Sequence, residues 1–248
     1  MTYLLETQTR FLGDTTGTLG DGLTMYFPFS ESEGDCRDII SGRVFAVQGT
    51  EPVIEHTAVG EGVFHVCPDD GGTYYSTKNV DGFWPSGHET FTFSAWFKAG
   101  SGFAGNWDCV IIDWQNGVTA KYKWGIQNRG TENRMHMTAA TDASGTLVNA
   151  VSTVPVADGT TYLVVVQHDA TADKIRISVN AETLVETAQS AGIQEVDLNQ
   201  INLGLVNGQS VESALTIGTC ALWGRSLSQT EIAAYYNSGS GLKINRVI

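Results

Sequence analysis

The stretch TFTFSAWFK, residues 90–98, alternates strictly, with Phe91, Phe93, Ala95 and Phe97 on one side of an extended chain. A period of two suits a strand with one buried face and excludes a helix. The pattern recurs along the chain. LTMYFPF (23–29) aligns Leu23, Met25, Phe27 and Phe29; KYKWGIQ (121–127) aligns Tyr122, Trp124 and Ile126. DKIRISVN (173–180) aligns Ile175, Ile177 and Val179, and INLGLVN (201–207) aligns Ile201, Leu203 and Leu205. DCVIIDW (108–114) and TYLVVVQH (161–168) are continuous apolar runs, as expected of strands buried on both faces or in a sandwich centre. Pro28 suits a strand end, because it cannot donate to a ladder. Loops rich in Gly, Asn, Asp and Ser separate the strands, and no repeat, heptad pattern or linker divides the chain. A single all-β sandwich is expected, and 248 residues is a workable length for one.

One segment breaks the pattern. In GTCALWGRSLSQTEIAAYYNSG (218–239), Ser228 and Glu231 form a capping box, and Leu227 and Ile232 take the staple positions around it. Asn237 and Gly239 offer a stop, which predicts a helix of two to three turns.

Charged residues make up 17 % of the chain against a usual value of about 25 %, so Thr, Ser, Asn, Gln and Gly must cover much of the surface. The 14 basic and 27 acidic residues leave a net charge of −13, which repels phosphate backbones and disfavours nucleic acid. The longest apolar run, YLVVV (162–166), is too short to span a bilayer. The opening MTYLLETQTRFLGD has neither a basic nor an apolar leader region, so synthesis in a cytoplasm without signal-directed export is expected. Cys36, Cys67, Cys109 and Cys220 contain no C-x-x-C pair, which argues against zinc. Two disulfides could be drawn in three ways; buried, reduced thiols are the simpler reading.

With strands and helix placed, the chain resembles the laminin-G-like branch of the concanavalin A-like lectin/glucanase superfamily. MYFPFSESEGDCRDIISG (25–42) resembles the family's opening strand, followed by an acidic turn and Asp-x-x-Ser-Gly. FTFSAWFKAG (91–100) is similar to its Phe-Thr-x-Ser-Ala-Trp strand, and DGTTYLVVVQHDATADKIRISVN (158–180) to its central hairpin. ALWGRSLSQTEIAAYYNSG (221–239) is similar to its closing strand and helix. The resemblance implies an antiparallel two-sheet jelly roll over residues 23–241, with the helix across the end of the sandwich, plugging it through Ile232, Tyr235 and Tyr236. Residues 1–22 are left as an N-terminal arm and 242–248 as a C-terminal tail.

Fold does not give function, so each chemistry needs its own residues. Hydrolases of the superfamily carry Glu-x-Asp-x-x-Glu on an inner strand; here EVDLNQ (195–200) begins with Glu195 but ends in Gln200, which cannot act as a general acid. The five histidines show no H-x-x-x-H pairing, and a packing role is expected for His168. An enzyme is not expected. CPDDGGTYYS (67–76) resembles a calcium-binding segment of the family, making Asp69 and Asp70 the candidate metal ligands and calcium the candidate cofactor. Against this, Gly218-Thr219 stand where many members carry Asp-Glu. Sugar rings stack on exposed aromatics with polar neighbours, which selects Trp84, His88, Asn106 and Trp107 in Gly-rich loops. Trp96, Trp124 and Trp223 lie in strand patterns and read as core.

The expectation is therefore a non-catalytic virion surface protein of a bacteriophage-type particle, a head-decoration, tail or fibre component that also adheres to cell-surface glycan. Its arm residues Tyr3, Leu4, Leu5, Phe11 and Leu12 would dock on a neighbouring subunit. The alternative is a free-standing carbohydrate-binding lectin or adhesion module, secreted or at a cell surface.

Overall fold

The computed structural model describes residues 9–12, 14–30, 35–48, 53–59, 62–67, 74–78, 89–104, 109–114, 124–128, 132–140, 146–190, 192–193, 200–204 and 215–246. At 9, 10, 12, 48, 53–59, 62–67, 74–78, 109, 111–114, 200, 201 and 244–246 this extends to the backbone alone.

Eighteen strands are described: β1 Thr9–Leu12, β2 Leu23–Phe27, β3 Cys36–Arg37, β4 Val44–Gln48, β5 Val53–Val59 and β6 Gly62–Cys67. They continue as β7 Tyr74–Lys78, β8 Phe91–Ala99, β9 Cys109–Trp114, β10 Trp124–Asn128, β11 Arg134–Ala140 and β12 Leu147–Pro155. The last six are β13 Thr161–Asp169, β14 Lys174–Val179, β15 Val185–Ala188, β16 Gln200–Leu203, β17 Leu215–Trp223 and β18 Lys243–Arg246, with helix α1 at Gln229–Tyr236. Sheet I has the order β12-β11-β10-β9-β16-β7-β4-β3. Sheet II runs β15-β14-β13-β8-β17-β6-β5, with β2 also beside β17. The strand pairs are antiparallel. β17 shares one edge between two partners: residues 215–217 pair with β6 and residues 220–223 with β2.

The alternation builds the core between the sheets. Phe91, Phe93, Ala95 and Phe97 meet Val164, Val166, Ile175, Ile177, Trp124, Met135 and Met137 in one buried cluster. Leu23 departs from its expected face. Leu222 pairs with Met25 but Trp223 pairs with Leu23, so one residue of β2 is bulged and Leu23 turns to the other side. Met25, Phe27 and Phe29 stay inward. Asp38, in the Asp-x-x-Ser-Gly motif, is fully buried yet satisfied: one carboxylate oxygen accepts from the Tyr26 and Ile40 N–H groups at 2.8 and 3.0 Å. The other accepts from the Ser41 N–H at 2.9 Å and from its hydroxyl. The motif thus ties a turn to β2. His168 is buried, with Nδ1 2.8 Å from the Glu89 carbonyl, in agreement with a packing role. Cys36 and Cys220 are buried thiols, and burial pushes the Cys220 pKa up; the Cys67 and Cys109 side chains lie outside the described residues.

The apolar run in β13 is explained by a second cluster on the outer face of sheet II. Tyr26, Trp96, Leu163, Val165, Ala221 and Trp223 point away from the inter-sheet core and are covered by Phe11, Leu19, Leu227, Ile232, Tyr235 and Leu242. The helix therefore lies on this face and does not plug the end of the sandwich. An outer face carrying two tryptophans and a tyrosine needs a lid, and α1 supplies it. Its capping box forms as expected, with Ser228 accepting from the Glu231 N–H. Asn237 ends the helix in a left-handed conformation, φ 47°. Gln229 fixes the helix to the β14–β15 turn through the carbonyls of Ala181 and Glu182, both at 3.0 Å, and the Leu184 N–H at 3.0 Å.

The chain ends join the same layer. β1 pairs with β18 as a two-stranded ribbon. Phe11 is buried within its own chain, edge-on to Tyr26 and Tyr235 at centroid distances of 5.7 and 5.5 Å. This corrects the expectation that Phe11 docks on a neighbour. Tyr3, Leu4 and Leu5 lie outside the described residues, as does the Leu12 side chain. Residues 14–22 are fastened to α1 by Arg225. Its guanidinium donates to the Asp21 and Thr18 carbonyls, each at 2.7 Å, and to Glu231 at 2.6 Å. Thr18 Oγ1 donates to Glu231 at 2.6 Å, and the Trp223 indole N–H to the Leu19 carbonyl at 2.7 Å.

Burial raises the Glu231 pKa, but hydrogen bonds from Arg225, Thr18 and Ser228 outweigh it and hold the carboxyl at about 2. A depressed carboxylate pKa stabilises the fold above the unfolded value of 4.5, and that contribution fades as pH falls toward 2. Glu231→Gln should cost about 2 kcal/mol at pH 7, a fall in Tm of roughly 4–8 °C. Thermal melts of both proteins from pH 7 to pH 2 should show the gap constant down to about pH 5 and closing below it. A gap that persists unchanged at pH 2 would refute the charged clasp.

Candidate functional site

The lid stops short of one end of sheet II. Tyr236, the last residue of α1, stacks on Trp96 with ring centroids 5.8 Å apart. Two residues further along β8, on the same face, stands Lys98. The register sets Lys98 opposite Thr161 of β13 and Thr216 of β17, so a polar row follows the apolar ones. Beside it, Gly100–Ala104 turns over the rim. Asp158 shapes that turn: its carboxylate accepts from the Gly102 and Ala104 N–H groups at 2.7 and 2.8 Å. Phe103 anchors the turn from below, fully buried 5.6 Å from the Phe97 ring, while its carbonyl accepts from Asn128 Nδ2 at 2.5 Å. The Gly159 N–H donates to the Ala99 carbonyl at 2.7 Å, with Gly159 at φ +73°, a conformation that disfavours other residues.

The result is an open groove of about 490 Å³ lined by Lys98, Ala99, Gly100, Ser101, Asp158, Gly159 and Thr216. The Ala104 and Gly102 N–H groups hold the Asp158 carboxyl below its ordinary pKa, so it is ionised at neutral pH. An ammonium, a carboxylate, two hydroxyls and main-chain groups in one concavity can both donate to and accept from the hydroxyls of a polyol. Among the described residues that line the groove, Asp158 is the one carboxyl.

Two other polar sites are occupied internally. A depression of about 470 Å³ lined by Thr16, Thr18, Asp21, Arg225, Ser228, Thr230 and Glu231 is the clasp described above. Across sheet I, Gln127 Nε2 donates to Thr138 Oγ1 at 2.7 Å and Thr138 donates to Asn149 Oδ1 at 2.6 Å. His136 Nε2 lies 3.2 Å from Glu132 beside them. Gln127, Thr138 and His136 are buried, so this ladder is an internal network and not an open surface.

The sequence-selected candidates fall elsewhere in the chain. Trp84, His88, Asp69, Asp70 and Glu195 lie outside the described residues. So do Asn106 and Trp107, which follow the Gly100–Ala104 turn in sequence. No cluster of three or more His, Cys, Asp or Glu residues suited to a metal ion occurs among the described residues. Lys98, Ser101, Asp158 and Thr216 were not foreseen. The signal for Lys98 was faint: a charged residue closing an alternating strand. Its partners come from β17 and from the turn before β13, and nothing local to β8 announces them.

Comparison of the sequence with curated proteins gives no match. Among solved structures, the binding domain of Paraclostridial Mosquitocidal Protein 1 is similar at TM-score 0.69 and 11 % identity, over 88 % of this chain and 52 % of that one. The receptor-binding domain of botulinum neurotoxin C/D mosaic serotype matches at TM-score 0.66 and 13 % identity, over 88 % and 51 %. Trypanosoma rangeli sialidase matches at TM-score 0.63 and 14 % identity, over 88 % and 33 %. The chain thus spans about half the length of those toxin domains and a third of the sialidase, and at such identities the likeness is one of fold. A laminin-G family model, described as concanavalin A-like lectin/glucanases superfamily, matches residues 69–233. With the two antiparallel sheets already in place, that match settles the family: the chain belongs to the concanavalin A-like lectin/glucanase superfamily.

Proposed function

We propose that this chain is a non-catalytic carbohydrate-binding module, carried on the surface of a bacteriophage-type virion, that holds a surface glycan in the groove between Lys98, Ser101, Asp158 and Thr216. The groove carries the proposal: it is an open concavity with donors and acceptors suited to sugar hydroxyls. Structural neighbours agree in kind. One is the binding domain of botulinum neurotoxin DC, solved in complex with SialylT. The low charge density and polar surface suit a protein that works outside the cell or packs in an assembly. Trp84, His88, Asn106 and Trp107 are proposed as further glycan contacts. Calcium at Asp69 and Asp70 remains part of the proposal.

A glycan array probed with the full chain should show selective binding, and Lys98→Ala should weaken the best ligand by about tenfold, equivalent to ~1.4 kcal/mol. Binding that is undiminished by Lys98→Ala and by Thr216→Val would remove the groove from the account. The same polysaccharides should release no reducing ends on long incubation; release would overturn the non-catalytic reading. Detection of the chain in purified particles would support the virion setting, and its recovery solely as a free secreted protein would favour the free-standing lectin. A melting temperature identical in calcium and in chelator would retire the metal, because a ligand specific to the native state must raise it.

A further inference from the structure

The last residue of the lid is out of keeping with the rest of it. Tyr235 points down onto sheet II, where it is buried and its hydroxyl accepts from Ser94 at 3.5 Å. Its neighbour Tyr236 is half-buried. The Tyr236 ring lies 16° from parallel with Trp96, and Trp96 beneath it is 2 % exposed. One face of the Tyr236 ring is thus taken up by Trp96, and its exposure lies on the opposite face and at the hydroxyl. Among the described residues that hydroxyl has no hydrogen-bond partner, and it is not buried. Covering Trp96 needs apolar bulk alone, which a leucine would supply, so packing does not account for a tyrosine.

The turn after the helix keeps this end of the ring clear. The Gly241 N–H donates to the Tyr236 carbonyl at 3.1 Å and Asn237 Nδ2 to the Gly241 carbonyl at 3.0 Å, which fixes the turn. Gly239, at φ +91°, has no side chain where a Cβ would stand 3.5 Å from the Tyr236 hydroxyl. Ser238, exposed at the tip, is held at φ 53°, a left-handed conformation that serine rarely adopts.

We propose that Tyr236, with the Ser238 hydroxyl, forms a second sugar subsite, so that the chain recognises an oligosaccharide and not a single sugar. The inference rests on the reading of the Lys98 groove as a glycan site and extends it. Trp96 and Lys98 are two residues apart on one face of β8, about 7 Å, so a ring resting on Tyr236 adjoins one held in the groove. The chemistry selects a pyranose that turns a C–H face to the aromatic ring and its hydroxyls to the Tyr236 and Ser238 oxygens.

The test is a glycan array on which glucose, galactose, mannose and N-acetylglucosamine are each printed alone and as the terminal residue of a disaccharide, with the affinities of bound glycans then measured by titration. The full chain should bind a disaccharide about tenfold tighter than the matching monosaccharide. Tyr236→Leu, which keeps Trp96 covered, should abolish that gain, and Ser238→Ala should reduce it about threefold. Ala233→Gln, on the exposed side of α1, should leave it intact. Should Tyr236→Leu fail to melt cooperatively, Tyr236→Phe is read instead, which keeps the stack and removes the hydroxyl, with a loss of about threefold on the disaccharide. A disaccharide gain that survives these changes, or an equal loss on mono- and disaccharide, would overturn the subsite and leave the groove standing. Binding of none of the printed glycans would overturn the groove, and the subsite with it.

Discussion

The structure turns on sheet II being apolar on both faces. Strands β8, β13 and β17 send Phe93, Val164, Val166 and Leu222 inward and Trp96, Leu163, Val165 and Trp223 outward. Sheet I covers the first set. The second would stand in water unless something else covered it, and burying a side chain of this size stabilises by about 1.5–3 kcal/mol. Phe11, Leu19, α1 and Leu242 converge on this face from opposite ends of the sequence for that reason. The short helix after β17 is the nearest available lid, and its careful capping follows from its brevity: eight residues cannot sustain a helix alone.

The polar groups of the lid serve the same purpose. Arg225 donates to two carbonyls of the 14–22 segment and to Glu231, which in turn caps α1. One ion pair thereby fixes segments more than 200 residues apart in sequence. Where the lid ends, the sheet changes character: beyond Trp96 and Tyr236 the outward row is Thr161, Lys98 and Thr216. The site is therefore the part of the face that needed no cover, and its position follows from the packing of the rest.

Much of this was legible in the sequence. Alternation gave the strands because the side-chain period of a strand is two wherever one face is buried, and of the two readings open for TYLVVVQH, both faces buried or a sandwich centre, the structure shows the first. Ser228 and Glu231 gave the helix because a capping box is a local interaction. The failures share a cause. The helix position, the burial of Phe11 and the facing of Leu23 depend on what lies across the sheet or on a single bulge, and none leaves a local pattern. A Phe in a polar, Thr-rich segment reads as an arm until Trp223 and Tyr235 are seen to wait for it. The groove was invisible for the same reason, since Lys98, Asp158 and Thr216 meet only through the β8–β13 and β8–β17 pairings.

The claim that the chain ends complete the lid is open to one direct measurement. Deleting residues 1–20 removes Phe11 and Leu19, side chains whose loss costs roughly 3–5 and 2–5 kcal/mol where buried, together with the partners of Arg225 and Trp223. Against a typical stability of about 5–15 kcal/mol this should abolish the cooperative melt or lower Tm by more than about 10 °C. A truncated chain that melts cooperatively at the temperature of the full chain would contradict the account, returning residues 1–20 to the status of a separate arm.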